Sequence, residues 1–339
     1  MFSVGCSMFG VSVEKFEPKQ RMKPLALILT LSLVFILRST HAQTNIWQPS
    51  SGHTQIPIWP GTPPDPRPMK GPEFVHVSDG TVAGKTVLIA ERVAVPTMTV
   101  YSPKRHNTGI AVLVFPGGGY QVLAMDLEGS EVCEWLAAHG ITGVLLKYRV
   151  PGYKGYADSG FRKSGAYPDS PAALEDAQRT MGLVRLHAAE WHIDPDKIGV
   201  MGFSAGGHLV ASISTHFDKR IYAAIDDADQ QSCRPDFGVP IYPGHMQENT
   251  TNDFEINPYV SVTTNTPPQF IVQAENDPVD PVMNSLLYFM ALKNAKVPAE
   301  LHIFAQGGHA FGLRRTKMPV TEWPELMNRW LKTIGMLSQ

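Results

Sequence analysis

Cysteine is scarce in this chain, with three in 339 residues, too few for a disulfide framework. No charge sign dominates either: 29 Lys and Arg face 31 Asp and Glu, a formal net charge of −2. That balance excludes a nucleic-acid binder held by phosphate neutralisation. With 18 % charged residues against 43 % hydrophobic ones, it also excludes a disordered polymer or a coiled coil. No HExxH, CxxC or carboxylate cluster appears, so neither a metal nor another cofactor is expected. No apolar run reaches the roughly 20 residues that a membrane-spanning helix needs. What is present is an ordinary globular composition, rich in loop formers (29 Gly, 28 Pro) but without a collagen-like period.

The one notable apolar run, Leu25 to Leu37, has 13 residues. Lys15, Lys19, Arg21 and Lys23 precede it, and Thr40-His41-Ala42 follows. Basic, then apolar, then small is the order of a secretory signal peptide. We therefore expect residues 1–42 to be an N-terminal extension and signal, with Met1 or Met22 as the start. Export to the periplasm or the medium follows, without stable membrane association after cleavage; an uncleaved anchor is the alternative. Cys133 and Cys233 would remain, either as a disulfide or as two unpaired, partly buried thiols.

Residues 43–72 hold eight prolines, so 43–84 reads as an extended lead-in over the surface. Beyond it, β-branched runs predict strands over 86–90, 98–101, 110–115, 143–150, 197–201, 237–242, 269–273 and 300–304. Helical spacing covers 130–139, 172–191, 205–215, 281–295 and 322–337. In the second helix, Leu174, Ala177, Met181, Val184 and Ala188 recur at three- and four-residue steps, the stripe of a helix packed on a sheet. Strands alternating with helices predict an α/β domain over 85–339, a mostly parallel sheet covered on both faces. The short link between the first two strands suggests an antiparallel start.

The sharpest motif is Gly202-Phe203-Ser204-Ala205-Gly206, between a predicted strand and a predicted helix. A serine on such a tight turn stands above the sheet, with the Ala205 N–H beside a developing oxyanion. Pro116-Gly117-Gly118-Gly119-Tyr120 ends an earlier strand, and its consecutive glycines let backbone amides approach a carbonyl; Gly118 and Gly119 are the expected donors. A serine hydroxyl needs a base. His309, in a loop after the last core strand, fits, and Asp277, just past the strand 269–273, would orient it. Asp280 and Glu275 are rival acids; Asp280 precedes Pro281 at a helix start, where a capping role suffices. The chain order Ser, Asp, His is that of acyl hydrolases. His208, one turn into a helix, reads as packing, while Tyr120 and His245 are candidate substrate contacts.

At this point the sequence resembles the α/β-hydrolase superfamily, in particular secreted bacterial acetylxylan-esterase and feruloyl-esterase-like enzymes of a PGGGY subgroup. The resemblance spans about residues 95–335. It rests on VFPGGGY (114–120), LEG (127–129), LKYRVP (146–151), YPDSPAALEDAQRTMGLVR (167–185), IGVMGFSAGGHL (198–209), AENDPVDPVMNS (274–285) and GGHAFGL (307–313). It implies a serine esterase with Ser204 as nucleophile, Asp277 as acid, His309 as base, and Gly118, Gly119 and Ala205 as oxyanion donors. Where many relatives carry a histidine before the glycines, this chain has Pro116.

Residues 243–268 are too few for a large lid, and no propeller-sized segment is evident, so a lipase or a prolyl-oligopeptidase-type peptidase is not expected. The insertion 151–170 carries Tyr153, Tyr156, Phe161 and Tyr167, which could stack on sugars or pin the loop. Export, a short lid and aromatic loops favour acyl groups on plant-wall polysaccharide such as xylan, with acetyl first. A feruloyl or general carboxylesterase is the alternative, and a non-catalytic glycan-binding homologue is the contrasting class. The expected partner is an acylated polysaccharide or small ester, not nucleic acid.

Overall fold

The computed structural model describes residues 46–66, 69–153, 171–247 and 254–338. The signal-like segment 1–42 lies outside them, as do Tyr156, Phe161 and Tyr167 of the insertion. The first half of the chain forms β1 (Gln55–Pro57), β2 (Phe74–Val77), β3 (Leu88–Glu91), β4 (Thr97–Tyr101), β5 (Ala111–Phe115), β6 (Val122–Ala124), α1 (Glu131–Ala138), β7 (Thr142–Lys147) and α2 (Pro171–Leu186). The second half forms β8 (Ile198–Phe203), α3 (Ala205–Thr215), β9 (Gly238–Ile241), β10 (Gln269–Ala274), α4 (Met283–Asn294), β11 (Ala299–Phe304) and α5 (Trp323–Thr333).

Every residue of β5, β7 and β8 is buried, which is why β5 and β8 read as unbroken apolar runs rather than alternating ones. They form the centre of an eight-stranded sheet in the order β1-β4-β7-β5-β8-β9-β10-β11. From β7 onward the pairing is parallel, while β4 and β1 run antiparallel. A second sheet, β2-β3-β6, is wholly antiparallel.

Two expectations change here. The strand near 86–90 belongs to the small sheet, because β3 pairs with β2 and β6 and not with β4. The proline-rich segment is also more than a surface lead-in. Its Gln55–Pro57 adds the edge strand of the main sheet, where a proline without an N–H is tolerated. Trp47, Ile58 and Trp59 are buried in the core. A buried ionic cluster holds this segment down. Asp176 on α2 accepts from Trp59 Nε1 (2.8 Å) and Arg149 Nε (3.0 Å), while Arg149 Nη1 donates to Pro64 O (2.6 Å). Glu175 adds a second carboxylate 2.8 Å from Arg149 Nη2.

Cys133 and Cys233 are buried and unpaired, and burial pushes both thiols up, the first strongly. No helix among the described residues is long and apolar enough to cross a membrane.

Asp176→Ala should leave Arg149 short of a partner in the core and destabilise the protein by about 3–5 kcal/mol. Urea denaturation followed by tryptophan fluorescence checks this; a loss below about 1 kcal/mol would show that Glu175 alone satisfies the guanidinium.

Candidate active site

The turn from β8 into α3 places Ser204 at φ 53°, ψ −118°, a conformation that costs a non-glycine residue on the order of 1–3 kcal/mol. Two glycines make the turn possible. A side chain at Gly202 would run into the Gly206 carbonyl, and one at Gly206 into the Phe115 carbonyl of β5. The strain is held by backbone bonds: Ser204 N–H donates to Ile241 O (3.1 Å), and Ser204 O accepts from Gly244 N–H (3.2 Å).

His309 follows β11 and Asp277 follows β10, neighbouring parallel strands that deliver both to the same end of the sheet. His309 Nδ1 lies 2.7 Å from Asp277 Oδ2, and His309 Nε2 lies 3.1 Å from Ser204 Oγ. With Nδ1–H donating to the carboxylate, Nε2 is free to accept the serine proton. Asp277 is itself fixed: Oδ1 accepts from the Val279 and Asp280 amides, and Oδ2 accepts from Gln273 Nε2. Asn276 Oδ1 binds the Gly307 and Gly308 amides, tying the loop of the acid to the loop of the base. Burial pulls the His309 pKa down. The hydrogen bond that Nδ1–H donates to Asp277 and the charges of Asp280, Asp277 and Glu128 outweigh it, so the net shift is upward from the ordinary 6.5.

Of the rival acids, Glu275 is exposed and does not line the site. Asp280 is not a helix cap, since α4 starts at Met283 with Val282 at its cap position. Instead its carboxylate turns inward. Oδ2 accepts from Ser204 Oγ at 3.0 Å and stands 3.7 Å from His309 Nε2. Burial lifts its pKa to about 6, against the lowering effect of the His309 charge and the serine hydroxyl.

The glycine loop after β5 sorts its own amides. Gly117 N–H is taken by Glu128 Oε2 (2.8 Å), whereas the Gly118 and Gly119 amides donate to no protein acceptor among the described residues, and both glycines line the cleft. The Ala205 amide opens α3, where no preceding turn accepts it. The Gly118, Gly119 and Ala205 amides thus have no acceptor among the described residues.

Glu128 is a residue that motif reasoning passed over. It is fully buried, and besides Gly117 it accepts from Tyr242 Oη (2.8 Å), which in turn accepts from the Gly312 amide of the histidine loop (3.2 Å). Burial pushes its carboxyl up, opposed by Tyr242, His309 and the Gly117 amide. From the other side, Tyr148 Oη donates to Pro116 O (2.6 Å). Sequence offered only the apolar setting of an acidic residue in Asp126-Leu127-Glu128-Gly129, which turns out to be a single π-helical turn.

Tyr120 is not in the cleft wall. Its side chain is buried, with Oη 3.0 Å from Nδ1 of His208, which is itself fully buried and bonded to Ser212 Oγ. His245 does line the cleft.

That cleft has a volume of about 450 Å³. One wall is apolar: Val82, Val87 and Ile89 of the small-sheet region pack with Ala124, Leu127 and Ala310. Arg314 clamps this wall to the histidine loop. It donates to the carbonyls of Lys85 (2.8 Å) and Thr86 (2.9 Å) and pairs with Asp126 and Glu131.

A serine on a strained strand-to-helix turn, a histidine bonded to a carboxylate, and a mostly parallel eight-stranded sheet define an α/β-hydrolase. The chain belongs to the prolyl oligopeptidase family, whose profile matches residues 133–335. No propeller accompanies the hydrolase fold among the described residues. An acetylxylan esterase of Xylanibacter ruminicola is 28 % identical over 258 residues, covering 70 % of this chain and 48 % of the relative. Endo-1,4-beta-xylanase B of Butyrivibrio fibrisolvens is 32 % identical over 223 residues, 60 % of this chain and 33 % of that protein. The chain thus spans about half the length of the first and a third of the second. Among solved structures, the acetyl ester-xyloside bifunctional hydrolase of Caldicellulosiruptor lactoaceticus superposes with a TM-score of 0.64 at 33 % identity, over 84 % of this chain and 97 % of that one.

Glu128→Ala strips the acceptor from two buried donors, Gly117 N–H and Tyr242 O–H. A loss of about 2–4 kcal/mol in unfolding free energy is expected, together with slower ester turnover as the glycine loop loosens. Unchanged stability and turnover would remove Glu128 from any bracing role.

Proposed function

We propose that this protein is a serine carboxylic-ester hydrolase, exported from the cytoplasm, that removes acetyl groups from plant-wall polysaccharide such as xylan. The observation that carries the chemistry is the unbroken chain Ser204 Oγ–His309 Nε2 and His309 Nδ1–Asp277 at the mouth of the cleft. The substrate class is supported by relatives described as an acetylxylan esterase and an acetyl ester-xyloside hydrolase. Export is supported by the basic–apolar–small order of residues 15–42.

In this reading Ser204 Oγ attacks the ester carbonyl carbon as its proton passes to His309 Nε2, and Asp277 holds the resulting imidazolium. The carbonyl oxygen, now negative, is received by the Gly118, Gly119 and Ala205 amides. The carbon–oxygen bond to the sugar breaks, and the leaving oxygen takes the proton from His309. Water then attacks acetyl-Ser204, giving a proton to His309, which returns it to Ser204 as acetate departs.

A second reading rests on the apolar cleft wall. A surface built from Val82, Val87, Ile89 and Leu127 exceeds what a methyl group can cover and suits a feruloyl or other larger acyl group.

The deciding assay measures acetate release from acetylated xylan beside hydrolysis of p-nitrophenyl acetate and a feruloyl ester. Release from xylan is the expected result; activity on the feruloyl ester alone selects the second reading. Ser204→Ala should lower kcat by about 10⁴-fold or more and abolish labelling by a fluorophosphonate. More than trace turnover in that variant would falsify the assignment.

The base works neutral and its pKa is raised, so kcat/KM should fall as pH drops through the imidazole ionisation above the ordinary 6.5, with the Asp280 carboxyl titrating below it. A flat profile from pH 5 to 8 would exclude His309 as the base.

A further inference from the structure

Asp280 is a second carboxylate on the nucleophile that acyl transfer does not need. Among the described residues, the Ser204 hydroxyl is its one side-chain hydrogen-bond donor. The carboxylate is only 6 % exposed and lines the cleft. Gly244 makes room for it, since a Cβ there would stand 2.5 Å from Asp280 Oδ1.

During the reaction this arrangement loses its donor. Once Ser204 hands its proton to His309 and becomes acylated, no described residue is left within hydrogen-bond distance as a donor to Asp280, the His309 Nε2 standing 3.7 Å off. A buried ionised carboxylate without a donor is unfavourable. The replacement must come from the cleft, and the geometry limits from where. The leaving oxygen has to sit within hydrogen-bond reach of His309 Nε2 to take its proton. Asp280 Oδ2 is 3.7 Å from that same nitrogen, so the leaving oxygen and the carboxylate are neighbours. Two oxygens on adjacent ring carbons stand about as far apart as the ends of a hydrogen bond. A hydroxyl next to the esterified position therefore reaches Asp280 while the ester oxygen faces His309.

Resting on the esterase reading above, we propose that Asp280 makes the enzyme selective for esters of vicinal diols, the pattern a partly acylated sugar ring presents, by accepting a hydrogen bond from the free neighbouring hydroxyl. An alcohol that places an ether or a second ester at that position presents an acceptor to a carboxylate and is rejected. Burial lifts the Asp280 pKa only to about 6, so at neutral pH the group is ionised and can only accept.

The test compares two acetates differing in one donor: the monoacetate of the trans vicinal cyclohexanediol and its O-methyl ether, at neutral pH, with p-nitrophenyl acetate alongside. The wild-type protein should favour the free hydroxyl by about ten- to a hundredfold in kcat/KM. In Asp280→Ala that ratio should fall to within about threefold of unity, whatever the absolute rates. Asp280→Asn, which keeps an uncharged acceptor and the side-chain volume, should lie between.

A wild-type ratio near unity, with p-nitrophenyl acetate hydrolysed, overturns the inference and leaves the esterase standing; water would then be the donor to Asp280. A ratio that persists in Asp280→Ala overturns it too, because the preference would then be steric. If no ester is hydrolysed, the esterase reading falls and takes the inference with it.

Discussion

The architecture at the head of the sheet depends on one strained residue. Ser204 holds a positive φ because β8, α3 and β5 meet there with no room for side chains at Gly202 or Gly206. Tyr120, Tyr242, His245 and Ala310 also adopt positive φ, and of the eleven such non-glycine residues among those described, Ser204, His245 and Ala310 line the cleft. Such conformations persist only where neighbouring structure over-determines them. Here the eight-stranded sheet does so, by fixing strand ends that the connecting loops must satisfy.

Around that serine the charges are divided by side. Asp277 and Asp280 face His309, where negative charge favours the protonated imidazole. In the proposed mechanism the opposite side presents amides to the oxyanion. Glu128 lies behind those amides, and burial pushes its carboxyl up. Its two hydrogen bonds join the glycine loop to the Tyr242–Gly312 corner of the histidine loop, coupling the electrophilic and basic halves of the site.

Much of this was legible beforehand, for definite reasons. Strands buried on both faces, such as β5 and β8, are unbroken apolar runs, and α3 was bounded correctly because the serine turn marks its start. The short strands β1, β2 and β6 have three or four residues each, too few to show a period, and β1 includes a proline that argues against a strand. Trp59 and Arg149 looked unremarkable because their pairing with Asp176 spans 117 and 27 residues of sequence. Ser204, Asp277 and His309 stood out because each follows a strand. Asp280 did not: its position before a proline matches a helix start, and nothing local says that its carboxylate turns back towards a serine 76 residues away. Tyr120 misled in the opposite sense, since an aromatic ending a glycine loop does not reveal that its hydroxyl belongs to His208.

The Arg314 clamp has a consequence for how the protein fails under heat. Because one buried guanidinium joins the 82–86 segment, the Asp126–Glu131 turn and the histidine loop, these three pieces of the cleft mouth are tied to one another. Regions with independent low-energy openings lose function before the fold melts. The clamped wall is instead built to open as one unit, so heat should release none of the three pieces alone.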